Sequence, residues 1–315
     1  MVFQVEEIID IHSHLGNVLY PNGGELICCK GLPDRSLFDT GFKFRNLFDA
    51  GFYAALIKYR HDGKQPHALI RAWGTWSNRN RNAVATLENM QKSMNASGVS
   101  KSVVLPIAPY VTFDDISDLG DERLIAFTSC DFNDDISEIE KKLDSHVSQG
   151  AKGLKLHPII QKVSLGDQKT YDVVEAFSKH NLPILFHSGV TTYYFGDEKG
   201  KERPENGELV DVKKLIGTFD NVNFIIGHAG GIGVDQVIST ISGYDNAYVD
   251  TSFQSPEKIE ELIGAFGSSR VLFASDWPYG DRKVSINIMK EACQGDIDIM
   301  KDIFSKNARY LMELD

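Results

Sequence analysis

Within the stretch IIDIHSHLG, Ile8 to Gly16, two histidines stand one residue apart in an apolar, β-branched run. Side chains alternate along a strand, so His12 and His14 are expected on one face and Ile9, Ile11 and Ser13 on the other, with Asp10 deeper on the histidine face. Two imidazoles on one face repel when protonated; neutral, they are ready metal ligands. Taken alone, the pair reads equally well as a solvated surface strand, and the rest of the chain must decide. Further chemistry-bearing residues recur at the ends of apolar runs: Lys155 and His157 in GLKLH, His187 in PILFH, His228 in NFIIGH and Asp276 in VLFASD. Three or four N and O ligands with one open position describe a catalytic zinc site, and His12, His14, His187 and Asp276 can supply them.

A bound divalent cation lowers the pKa of its water and polarises a substrate oxygen. Asp276, touching metal and water, can take a proton and return it, and His228 can hydrogen-bond or protonate the oxygen on which charge develops. Each has a plainer reading, Asp276 as a turn or helix-cap residue and His228 as the holder of a loop carbonyl, yet one metal-centred site accounts for all of them together. Lys155 and His157 face inward by strand period. For Lys155 the readings are a substrate contact or tuning ammonium, a carboxylated metal bridge, or structural burial; His157 reads as a substrate contact. Arg71 and Trp73 in RAWGTWSNRNR, with Tyr193 in VTTYYFGD, could receive a carboxylate-bearing, partly planar substrate, the plainer reading being a packed lid.

Eight short apolar runs must position these groups: 8–12, 102–107, 124–130, 153–157, 183–187, 223–228, 247–252 and 271–276. Helical patterns lie between them, including one over 81–98 and a closing one from Ile297. Eight hydrophobic strands alternating with helices predict a (β/α)8 TIM barrel, whose catalytic groups stand at the C-terminal strand ends. The expected organisation is one domain over 1–315, with a cap at about 17–80 and a second lid loop at about 188–207.

The chain has 315 residues and a net charge of −11, which argues against nucleic-acid or anionic-membrane surfaces and for a small-molecule substrate. The absence of any apolar run long enough to span a bilayer, and of a signal-like N-terminus, gives a cytoplasmic expectation. A homodimer is compatible with the sequence. Cys28, Cys29, Cys130 and Cys293 show no C-x-x-C spacing and read as reduced thiols.

DIHSH, GLKLHP, LFHSG, IGHAGG and ASDWPYG, with the closing IFSKNARYL, resemble the metal-binding strand ends of the amidohydrolase superfamily. The resemblance is to the branch containing aminocarboxymuconate-semialdehyde decarboxylase and related metal-dependent hydrolases. It implies ligation of one divalent ion by His12, His14, His187 and Asp276, with His228 as the catalytic histidine. Zinc is the expected ion, with manganese or another divalent metal as alternatives; a second metal on a carboxylated Lys155 is not expected in this branch. The reaction expected is hydrolysis of an amide, ester or lactone. The alternative is non-oxidative decarboxylation of an unsaturated or aromatic carboxylic acid, and a barrel that binds metal and ligand without turnover is the third reading.

Overall fold

The computed structural model describes residues 7–34 and 68–314. Eight parallel strands run in chain order: β1 (Ile9–Ser13), β2 (Lys101–Val104), β3 (Leu124–Ala126), β4 (Leu154–Leu156), β5 (Ile184–Phe186), β6 (Phe224–Ile226), β7 (Ala247–Asp250) and β8 (Val271–Leu272). β1–β2–β3 and β4 through β8 are continuous ladders. A bridge from Thr128 to Leu154 joins the two, and one from Ser13 to Trp277 closes the cylinder. The fold is therefore a (β/α)8 barrel with loop caps.

Alternation along the strands sorts the core into two layers. Ile9, Ile11, Val103, Ile125, Leu185, Ile225, Tyr248 and Leu272 cluster with Ala308, Leu311 and Met312 of the C-terminal helix Asn307–Met312. Leu154, Leu156, Ile184, Phe186, Phe224 and Val249 instead pack with Val173, Phe177 and Leu215 of the surrounding helices. On β4 the residue paired with Leu185 is Lys155, fully buried at a level where neighbouring strands place apolar side chains.

Strand β1 departs from the expected alternation. Its register against β2 shifts between Asp10 and Ser13, a bulge in which the bulged strand spends an extra residue. Asp10 and Ser13 consequently share a side, and both reach Arg282, Asp10 Oδ2 at 2.9 Å from Nε and Ser13 Oγ at 3.1 Å from Nη2. The bulge sets Asp10 with Ser13 against Arg282, while His12 reaches Asp250 and Lys155.

The helix expected over 81–98 is two helices, Ala68–Asn82 and Leu87–Ser97. Thr86 starts the second by accepting the amide of Asn89, and Gly98 at φ 73 ends it. Of the predicted cap at about 17–80, residues 35–67 lie outside the described residues, and its last part, from Ala68, is helix. Cys28 and Cys29 are exposed free thiols, and Cys130 and Cys293 buried ones. Among the described residues no helix is long and apolar enough to cross a membrane.

Candidate metal centre

At the mouth of the barrel, single nitrogen atoms of His12 and His14 and a carboxylate oxygen of Asp276 lie within 4.8 Å of one another, all three residues buried. His12 Nδ1 sits 2.7 Å from the Asp250 carboxylate and His14 Nδ1 2.7 Å from the Leu105 carbonyl, groups that accept and do not donate. Both Nδ1 atoms therefore carry the proton, and each Nε2 presents a lone pair. Those lone pairs face Asp276 Oδ1 at 3.5 and 3.4 Å, and Oδ1 is buried with no hydrogen-bond partner. The His14 lone pair and the unpartnered carboxylate oxygen repel each other until a cation stands among them, and so does the His12 lone pair, which otherwise meets only the Lys155 ammonium at 3.1 Å. The donor set fits a divalent metal ion, and the cluster is a divalent-metal-binding site.

The electrostatics of the pocket agree. Burial pushes His14 and His187 down to about 3, and takes His12, His157 and His228 well below the ordinary imidazole range, so all five are neutral as ligation requires. Burial also raises the Asp276 carboxyl well above the usual range, a cost opposed by the positive charge of Lys155. Lys155 is itself pushed down to about 8 by burial. Asp276 adopts φ 56 and His228 φ 57, left-handed conformations uncommon for residues other than glycine and the kind of strain that collects at functional sites.

His187 lines the same cavity as His14, His228 and Asp276 but stands outside the three-atom cluster. Its Nε2 lies 3.0 Å from the Gly189 carbonyl and so donates, which leaves Nδ1 bare and 3.0 Å from His228 Nε2. His157 stacks on His187 with ring centroids 4.2 Å apart, and its Nε2 is 3.2 Å from Tyr193 Oη. Tyr193 is held through its amide by the buried carboxylate of Glu202 at 2.8 Å. The side chains of Arg71 and Trp73 lie outside the described residues.

Asp250 is the functional candidate that the sequence reading passes over. It ends β7 in AYVD as Asp276 follows β8, and that strand-end placement was the available signal. A second grouping, His12, His228 and Asp250, also lies within 4.8 Å, but both Asp250 oxygens already accept hydrogen bonds from the protein. Asp250 is thus an anchor, in contrast to the unpartnered Asp276.

The cavity closed over the cluster measures about 10 Å³, room for an ion or a single water. It is walled by Val18, Ile107, Tyr193 and Tyr279. A hollow of about 800 Å³ at the opposite end, beside Lys101, Leu124 and Lys152, contains none of the barrel-mouth histidines.

A family model described as amidohydrolase matches residues 9–314. The chain belongs to the amidohydrolase family. No curated protein matches it. Its fold resembles that of 2,6-dihydroxybenzoate decarboxylase from Rhizobium, at 16% identity and a TM-score of 0.64, over 98% of this chain and 99% of that one. It also resembles 5-carboxyvanillate decarboxylase from Novosphingobium aromaticivorans, crystallised with manganese and 4-hydroxy-3-methoxy-5-nitrobenzoic acid, at 16% identity and a TM-score of 0.61, over 98% and 96% of the two chains. A probable 2-pyrone-4,6-dicarboxylic acid hydrolase from Acinetobacter baumannii follows at 12% identity and a TM-score of 0.55, over 98% and 100%. The expectation of an amide, ester or lactone hydrolase is corrected by this pattern. The decarboxylases share the fold with TM-scores of 0.60 to 0.65, above the neighbour named a hydrolase, and the strand-end residues that suggested hydrolysis serve carbon–carbon lyases equally.

Proposed function

We propose that this amidohydrolase-family chain is a metal-dependent, non-oxidative decarboxylase acting on a small unsaturated or aromatic carboxylic acid, with 1–315 working as one catalytic domain. The observation that carries the reading is the unpartnered Asp276 Oδ1 facing the Nε2 lone pairs of His12 and His14, in a barrel of the kind named as decarboxylases among its structural neighbours. His12, His14 and Asp276 would hold the ion, with His187 on the cavity wall as the fourth donor. Imidazole and carboxylate together suit zinc, the ion expected from the sequence, and manganese, the ion bound in 5-carboxyvanillate decarboxylase. When bound, the ion supplies Lewis-acid polarisation of a substrate oxygen and stabilises the charge that develops there.

The chain's own residues account for the rest. His228, at Nε2, and Asp276 present protonatable atoms to the cavity, and one of them would take up a proton from water and pass it to the carbon that loses the carboxylate. The carbon–carboxyl bond breaks, its electron pair stays on the substrate carbon, and the proton adds there: RCOO⁻ and H⁺ give RH and CO2. The buried ammonium of Lys155 provides positive charge for the incoming anion. The cavity lined by His157 and Tyr193 has room for one water, so a planar acid would lie against these rings once the side chains walling it had moved aside.

The test is CO2 release from a panel of hydroxylated benzoic acids and unsaturated carboxylic acids by protein loaded with manganese or zinc. Release from at least one acid, abolished by chelator and restored by metal, is expected. Metal-dependent turnover of panel members without CO2 would overturn the reading.

A further inference from the structure

We propose that Asp250 is a positioning residue whose single carboxylate sets the tautomers of both His12 and His228, and so prepares the metal ligand and the proton-handling histidine together. The inference rests on the roles given to those two histidines above. Asp250 closes β7 and is fully buried. Its Oδ2 accepts from His12 Nδ1 at 2.7 Å, which forces the lone pair of that ring onto Nε2, where the ion would bind. Its Oδ1 accepts from the backbone amides of His228 and Ser252 at 2.9 and 3.0 Å and from the Ser252 hydroxyl at 2.5 Å.

The hydroxyl carries the arrangement onward. A serine has one hydrogen to donate, and Ser252 gives it to a carboxylate that cannot donate in return. The 2.7 Å contact between Ser252 Oγ and His228 Nδ1 is therefore a bond donated by the ring. His228 is fixed as the Nδ1–H tautomer, and its Nε2 and the bare His187 Nδ1, 3.0 Å apart, present two lone pairs that a proton or a cation between them must reconcile. His12 and His228 stack with centroids 4.7 Å apart and an interplanar angle of 21°, so a shift in either ring is felt by the other. The left-handed backbone at His228, φ 57, is pinned by the same carboxylate through the His228 amide. Carboxylates behind metal-bound imidazoles orient the ring and raise its basicity, and losing one typically weakens metal binding about 10- to 100-fold.

The test compares wild type, Asp250→Asn and Ser252→Ala, each checked for a cooperative melt, by competing bound Mn²⁺ or Zn²⁺ against a chelator and by measuring kcat across pH. Asp250→Asn keeps the shape but removes the charge and one certain acceptor, and is expected to weaken metal binding about 10- to 100-fold. Ser252→Ala removes only the link to His228; it is expected to leave metal affinity unchanged while kcat falls and its pH profile shifts. Unchanged metal affinity in Asp250→Asn overturns the His12 half of the proposal, and a wild-type pH profile in Ser252→Ala overturns the His228 half. Should Asp250→Asn fail to melt cooperatively, Ser252→Ala still decides the His228 half, and the ring-nitrogen shifts of 15N-histidine-labelled wild type decide the His12 half, a proton on His12 Nε2 overturning it. Wild-type protein that binds neither ion overturns the functional reading itself, which separates the two failures.

Discussion

Lys155 Nζ lies 3.1 Å from His12 Nε2, the nitrogen that also faces Asp276 Oδ1. Because His12 Nδ1 holds the ring's proton for Asp250, Nε2 can only accept, and the lysine donates to it. An ammonium thus competes for the lone pair that a metal would use. Lys155→Met is expected to tighten metal binding about tenfold by removing a positive charge a few ångströms from the ion, and to lower turnover by removing charge that meets the substrate carboxylate. Chelator competition and steady-state kinetics measure the two effects. Loss of metal in the variant, or two ions per chain in the wild type, would instead show that Lys155 is a carboxylated bridge.

Asp10 and Arg282 form an ion pair 2.9 Å apart with both side chains buried behind the centre. Asp10 also accepts from Ser275 N and Oγ, at 2.9 and 2.5 Å, and so fixes the residue before Asp276. Removing one partner leaves a lone buried charge, and Asp10→Ala is expected to cost about 3–5 kcal/mol in urea denaturation. The double variant Asp10→Asn with Arg282→Met leaves no unpaired charge and should recover much of that loss. Equal destabilisation by the single and double changes would mean that packing around Trp277, 5.1 Å from the guanidinium, matters more than the pair.

The barrel was legible because its eight strands are short apolar runs bounded by turn signals, and the chemistry was legible because histidine and aspartate stand where those runs end. The bulge in β1 was not. Alternation is read by counting, and a one-residue slip leaves the composition of the strand unchanged while moving Asp10 to the side of Ser13. The break between the helices ending at Asn82 and starting at Leu87 depends on Thr86 capping Asn89, a signal hidden among residues compatible with continuous helix. Asp250 carries the strand-end signal of Asp276, but distinguishing an anchored carboxylate from a bare one requires knowing its donors. Hydrolysis and decarboxylation call on the same metal and the same histidine, so the residues at the mouth left the reaction class open.

His146 gives the fold a pH dependence remote from the centre. Its ring stacks on Phe113 at 4.6 Å, its Nδ1 is 2.7 Å from Thr128 Oγ1, and burial lowers its pKa from the ordinary histidine value. An unfolded histidine takes up its proton near about pH 6.5 and the folded one only at lower pH. Between those values the unfolded chain binds more protons, so this contribution is present above about pH 6.5 and is lost as pH falls. The urea midpoint of the metal-loaded protein is expected to drop from pH 7 to 5.5, and His146→Gln should flatten part of that slope. An unchanged slope in the variant would assign the acid sensitivity to other groups.

Asp276 and His228 line one cavity but stand in different relations to the ion, which makes them separable. Asp276 contributes the bare oxygen of the His12, His14 and Asp276 cluster, and an amide is a poorer ligand and no base. Asp276→Asn is therefore expected to lose both turnover and metal affinity, as His12→Ala with His14→Ala should lose the metal. His228 has Nδ1 committed to Ser252 and Nε2 turned to His187, so its removal spares the three-atom cluster. His228→Ala should keep near-normal metal content while kcat falls by roughly 10² to 10⁴, the worth of a positioned acid, base or oxyanion donor. Metal analysis and CO2 release on the same preparations give both numbers. If His228→Ala lost its metal yet kept full activity per bound ion, His228 would be a ligand, and the proton would have to come from Asp276 alone.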